Sequence, residues 1–140
     1  MLSIVNEIQT NLLDMEQKPF RPFQISCGLQ EGYEPSARTH PIEHARTVIQ
    51  QWMEARLKQS KKIAVGTLIG GEFIYPHIQE GVIATTCEPA FHYKGMMRED
   101  ATDEEAKELL NDLAHVLAEQ LNQKRVHVQF CDAYFVMERD

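Results

Sequence analysis

Along this chain the apolar residues switch between a period of two and a period of about three and a half, and that alternation limits the fold more than any other feature. Phe23, Ile25, Cys27 and Leu29 alternate with Gln24, Ser26, Gly28 and Gln30, the pattern of a strand with one buried face. Ile42, Ala45, Val48, Ile49, Trp52, Met53 and Leu57 then recur at three- and four-residue steps, which predicts a helix with Pro41 in its first turn. Residues 63–75 are β-branched and aromatic and read as a second strand, bent near Gly70 and Gly71, with a connection over 76–81. Residues 82–87 form the third strand, and 88–101 read as a long loop. Thr102 and Glu105 then make a capping-box pattern before Ala106, Leu109, Leu110, Leu113, Leu117 and Leu121, a second helix. Val126, Val128 and Phe130 close with a fourth strand, which 133–137 prolong as an arm.

The order is strand, helix, strand, strand, helix, strand. Short connections and right-handed crossovers then favour an α+β, ferredoxin-like split βαβ layout (βαββαβ): a four-stranded antiparallel sheet in the order 4-1-3-2 with both helices on one face. Ahead of it, Leu2, Val5, Ile8, Leu12 and Leu13 predict a short amphipathic helix, and Pro19 and Pro22 interrupt it. The expected organisation is an N-terminal arm over 1–18 and one domain over 19–140. In element order alone, over residues 23–137, the layout resembles small ferredoxin-like groups such as tautomerases and nitrogen-regulatory signal proteins, which assemble as dimers or trimers with ligands between subunits. The tautomerase base is an N-terminal proline. This chain begins Met1-Leu2, with Pro19 and Pro22 inside, so that activity does not carry over.

The formal charge of −7 disfavours nucleic acid as a bulk partner, and the excess is local. Residues 98–108 place Glu99, Asp100, Asp103, Glu104, Glu105 and Glu108 beside Arg98 and Lys107, where carboxylates complement the positive end of a helix. Cys27, Cys87 and Cys131 are widely spaced and offer neither a disulfide framework nor a thiolate metal site, and Cys27 falls with the core set. With no long apolar run, the expected setting is cytoplasmic, without membrane partners.

The expected topology gathers three connections at one end of the sheet. They bring Tyr33, Arg38, His40, His77, Arg125 and His127 together as a ligand site, with His44 and Tyr75 nearby. Two arginines beside a helix N-terminus suit an anion. A rarer alternative is a metal held by His40, His44 and His77. His92, Lys94 and Arg98 fall at the opposite end, in the expected loop. The open sheet face is expected to carry Gln24, Ser26, Gly28, Gln30, Ala64, Gly66, Leu68, His127 and Gln129, a surface fit for another copy of the chain.

No nucleophile, acid pair or metal triad stands out. The expectation is therefore a non-catalytic homo-oligomer, without cofactor, that senses or sequesters a small anionic metabolite or nucleotide. The alternatives are a small isomerase or hydrolase using histidine acid/base chemistry, or a protein–protein adaptor or inhibitor.

Overall fold

A computed structural model describes residues 14–34 and 36–140. The expected helix at 2–13 lies outside the described residues. The elements run β1 (Pro22–Gly28), α1 (Ile42–Lys58), β2 (Thr67–Gln79), β3 (Val82–Met96), α2 (Asp103–Gln120), β4 (Arg125–Phe130) and β5 (Ala133–Glu138). The sheet is antiparallel throughout, in the order β2-β3-β1-β4-β5. It has five strands where four were expected. The added strand is the 133–137 segment, which turns back at Cys131 and Asp132 and pairs along the whole of β4.

Two further expectations are corrected. β3 does not end at residue 87 but continues to Met96, so the expected loop over 88–101 is mostly strand. Pro89 is tolerated there because its carbonyl accepts from Leu29 N–H at 2.9 Å, on the side where the β1 ladder has just ended, so no bond to β2 is lost. β2 pairs residue for residue from Thr67 to Gln79 with no bulge at the glycines, and Pro76 is accommodated because β2 is an edge strand. The β2–β3 turn is Glu80-Gly81, both in left-handed backbone, the conformation a two-residue hairpin requires.

One core joins the helices to one face of the sheet. Phe23, Ile25 and Cys27 of β1 and Phe91 and Tyr93 of β3 meet Val48, Ile49 and Trp52 of α1 and Leu109, Leu110, Leu113 and Leu117 of α2. The two helices are fastened by Arg56, only 6% exposed. Its Nε donates to the Lys62 carbonyl at 2.7 Å, and its guanidinium reaches Glu108 at 3.1 Å and Asp112 at 2.9 Å. Asp112 also accepts from the Trp52 indole at 2.9 Å. The capping box forms at α2: Thr102 Oγ accepts from Glu105 N–H at 3.1 Å, and Glu105 accepts from Thr102 N–H at 3.0 Å. Around that entrance three acids have a cation close by: Arg21 for Asp103, Lys62 for Glu105 and Arg98 for Asp100.

Removing the Arg56 side chain leaves the Lys62 carbonyl without its donor and takes the cation from Glu108 and Asp112, which are partly open to water. Hydrogen bonds to charged groups contribute about 1.5–3 kcal/mol each at sheltered sites, so Arg56→Ala is expected to lower the unfolding free energy by about 2 kcal/mol in urea titration. A change below about 0.5 kcal/mol contradicts the fastening role.

Candidate functional site

The helices leave the other face of the sheet bare, and its residues follow from the register. Ser26 of β1 lies opposite His92 of β3 and His127 of β4, His92 lies opposite Ile69 of β2, and Gln129 lies opposite Tyr134 of β5. Successive residues of a strand alternate faces. The β2 contribution is therefore Ile69, Gly71, Phe73 and Tyr75, not the expected Ala64, Gly66 and Leu68. Leu68 pairs with Tyr93 and packs on the core, while Ala64 is buried and its carbonyl accepts from the Tyr93 hydroxyl at 2.6 Å.

Gly71, Ala90 and Gly28 lie side by side on this face and leave a low floor. Beside it stands Glu88, 8% exposed. A Cβ on Gly28 would fall 2.7 Å from Glu88 Oε1 and 2.8 Å from Gln123 Oε1, so only glycine leaves the carboxylate its place. Gln123 is fixed in turn, its amide donating to the carbonyls of Gln30 at 2.8 Å and Leu121 at 3.1 Å.

These groups open into a cleft of about 270 Å³ lined by Tyr33, Glu88, Gln123, Lys124 and Arg139 among others. Tyr75 meets Tyr33 edge to face at 6.2 Å. Burial pushes the Glu88 carboxyl above its usual range, opposed by the Tyr75 hydroxyl beside it. Tyr75 is raised as well, by desolvation first and then by the charge of Glu88 and by Tyr33. Among the described residues Glu88 makes no ion pair. A sheltered, unpaired carboxylate beside two aromatic rings is complementary to a cation. Arg139 and Lys124 on the same rim add the opposite sign beside Glu31 and Asp140, and Arg139 is held there by the Gln123 carbonyl at 3.0 Å and the Asn122 side-chain oxygen at 2.8 Å.

The six expected ligand residues do not line one cavity. Tyr33 is at the cleft. His40 is buried, with Nε2 2.8 Å from Glu31 Oε1, and ties down the loop before α1. Arg38 is exposed on that loop. His77 is exposed far out on β2, bonded to Gln79. Arg125 pairs with Glu138 at 3.2 Å across β4 and β5. His127 lies on the open face, bonded to the Tyr134 hydroxyl. The alternative metal triad is not assembled. His40 and His44 rings lie 5.1 Å apart, but among the described residues no group of three His, Cys, Asp or Glu is placed to hold a metal ion.

His92 is corrected too. It lies mid-strand, not in a distant loop, with Nδ1 2.8 Å from Ser26 Oγ and its ring 6.3 Å from Phe73, which in turn lies 6.3 Å from His127. Cys27 faces the core, and burial pushes its thiol up to about 12, an inert group as expected. Glu88 and Gln123 were missed by sequence reasoning. The only sequence signal was Gly28 in an otherwise regular alternation.

No protein-family model matches the chain, and no curated protein matches it. Solved structures do. A phage SAM lyase in complex with S-methyl-5'-thioadenosine is 20% identical and superposes with a TM-score of 0.65 over 89% of this chain and 95% of that one. A phage SAM lyase in its apo state is 19% identical, with a TM-score of 0.66 over 90% and 96%. At such identity the likeness is one of fold. It overturns the expectation of a non-catalytic binding protein, because both of these structures are of SAM lyases, while small-molecule binding is compatible with them. Among the described residues, no helix is long and apolar enough to cross a membrane.

Because its raised pKa makes ionised Glu88 a cost to the folded state, that cost is present above the raised pKa and vanishes as the pH falls through it. Glu88→Gln is therefore expected to raise the melting temperature at neutral pH, with the gain fading as the pH is lowered past the usual carboxylate range. A gain that persists unchanged in acid contradicts the burial of the charge. Gly28→Ala is expected to displace the ends of the Glu88 and Gln123 side chains and so to return the Glu88 carboxyl toward its ordinary titration, followed by NMR, and an unchanged titration contradicts the contact.

Proposed function

We propose that this chain is a lyase acting on a sulfonium nucleoside, S-adenosylmethionine, and releasing S-methyl-5'-thioadenosine. The observation that carries the reading is the Tyr33, Tyr75 and Glu88 cleft, set in a fold shared with SAM lyases. The substrate carries a sulfonium, an ammonium and a carboxylate, a net cation. Glu88 and the two tyrosine faces suit the positive groups, and Arg139 and Lys124 suit the carboxylate. The chain's −7 charge favours the approach of a cation over that of an anion.

In the proposed reaction the bond between the sulfonium sulfur and the amino-acid carbon breaks, and its electron pair stays on sulfur to give a neutral thioether. A lyase adds no water, so an oxygen of the fragment's own carboxylate supplies the electron pair for a new C–O bond to that carbon as the C–S bond breaks, closing a lactone that keeps the ammonium, with no proton gained or lost. The protein then needs no nucleophile of its own, in keeping with the sequence. Its task is to hold a cationic substrate in a reactive shape and exclude water.

The remaining proposals concern assembly and setting. We read β1 to β4 with both helices as a ferredoxin-like split βαβ unit, with β5 added to it. β2 and β3 run on beyond the last β1 pair, Gly28 with Ala90, as a two-stranded arm. On the face that carries the core elsewhere, this arm presents Ile74, Ile78 and Ile83, which are 68%, 69% and 75% exposed. An isolated hairpin is marginal in water and large apolar strips mark contacts, so the arm supports a homo-oligomer. The free cysteines suit a reducing, cytoplasmic setting.

Incubated with S-adenosylmethionine, the purified full chain is expected to yield S-methyl-5'-thioadenosine in step with substrate loss, measured by chromatography and mass spectrometry. Glu88→Gln is expected to slow it by about a hundred-fold, the usual scale for an electrostatic contact at a reacting charge. No thioether product, or full turnover by the variant, refutes the reading. In light scattering, Ile78→Glu with Ile83→Glu is expected to leave only monomer from a larger wild-type species, and a monomeric wild type rules out the assembly.

A further inference from the structure

Helix α2 lies over β4 and only grazes β5, so this edge strand keeps an apolar side that no described helix closes. The register sets Phe135 opposite Val128 and Met137 opposite Val126, on the side of the sheet that carries the core. With Leu110 of α2 and Phe130 of β4 they line a groove of about 300 Å³, rimmed by Lys107 and Asn111. Phe135 is 42% exposed although it faces the helices. Apolar surface of this kind is unfavourable in water and marks a contact.

The chain itself leads to the groove. Arg21 donates to Asp103 at 2.8 Å, and its guanidinium lies 5.5 Å from the centre of the Phe130 ring, so the segment ahead of β1 is tied down at the Phe130 end. Residues 1–13 lie outside the described residues, and their sequence places Leu2, Val5, Ile8, Leu12 and Leu13 at helical spacing, with Ser3 and Thr10 on the other side. Twelve residues of helix measure about 18 Å and the six of β5 about 20 Å, so segment and groove match in length. Eight residue steps separate Leu13 from Arg21, up to about 27 Å of chain, which lets the segment turn back over 14–18 and enter the groove. Its C-terminal end then lies at the Phe130 end, where Lys107 supplies the cation that a helix C-terminus favours.

We infer that residues 2–13 of the same chain lie in the groove between α2 and β5 as a third helix, with their apolar stripe against Phe130 and Phe135. The inference is independent of the proposed lyase function. The tether at Arg21 holds the segment at a high local concentration beside the groove, which favours it over a second copy. Docked there, it gives the edge strand a cover and braces the strand that leads into Arg139 at the rim of the Glu88 cleft.

The test is NMR on the full chain, carrying isotope labels in its Ile, Leu and Val methyl groups and its Phe rings. A proximity signal between the Ile8 methyls and the Phe135 ring is expected within one chain. Ile8→Asp is expected to speed amide exchange in β5 about ten-fold and to leave β1 unchanged, whereas Thr10→Asp leaves both strands unchanged. No signal between Ile8 and Phe135, or exchange in β5 unmoved by Ile8→Asp, overturns the inference. An equal rise in β1 marks general destabilisation and overturns the local cover. Signals from Ile8 to Val65 or Met96, which line a separate cleft beside Lys18, put the segment elsewhere and overturn it as well. In a mixture of methyl-labelled and ring-labelled chains, a signal that appears only between copies assigns the groove to a second copy and overturns the intrachain contact.

Discussion

Strand β1 lies between β3 and β4, and its two faces answer to different demands. Phe23, Ile25 and Cys27 are buried under the helices, and any polar group there would need a partner out of reach of water. Gln24, Ser26 and Gly28 face the other way, and what they are fixes what β3 can present beside them. Gly28 has no Cβ to intrude on Glu88, and Ser26 is small enough to hold the His92 ring by its hydroxyl. A bulkier residue at position 28 would push the carboxylate out into water, where its charge would lose both its raised pKa and its complementarity to a cation. The core and the candidate site are thus set by alternate residues of one seven-residue strand.

The electrostatics divide in a similar way. Most of the acidity gathers at the start of α2, where capping and the partners Arg21, Lys62 and Arg98 offset part of it locally. Arg56 takes up two more acids between the helices. Glu88 stands apart from all of these, sheltered and without an ion pair among the described residues. Burying a charge in that way costs stability, and proteins keep such groups chiefly where a ligand supplies the missing partner. A sulfonium substrate that becomes a neutral thioether is such a partner, present before the reaction and gone after it.

Much of the core was legible in the sequence, and the site only in fragments. The period-two run of β1, the leucine stripe of α2 and the Thr102 capping box appear as the pattern implies, because each is dictated by local geometry. The length of β3 was not, because Pro89 and Gly95 look like loop residues until the neighbouring strand is known to end beside Pro89. That error moved His92 to the wrong end of the molecule. The face assignment of β2 failed for a related reason: a one-residue difference in register exchanges Leu68 for Ile69 and brings Phe73 and Tyr75 to the open side. Of the expected ligand residues Tyr33 lies at the cleft and His127 on the open face, while His40 bonds to Glu31 and Arg125 to Glu138, satisfied pairs that no linear spacing reveals. Glu88 is four residues from His92 in sequence, and only the extended strand makes that spacing meaningful.

The account turns on whether the open face recognises positive charge on sulfur. Comparing the affinities of S-adenosylmethionine and S-adenosylhomocysteine, which differ by one methyl group and that charge, tests it most directly. The account predicts that the sulfonium binds several-fold more tightly in the wild type and that the preference collapses in Glu88→Gln. Equal affinities in the wild type, or a preference untouched by the substitution, would contradict it.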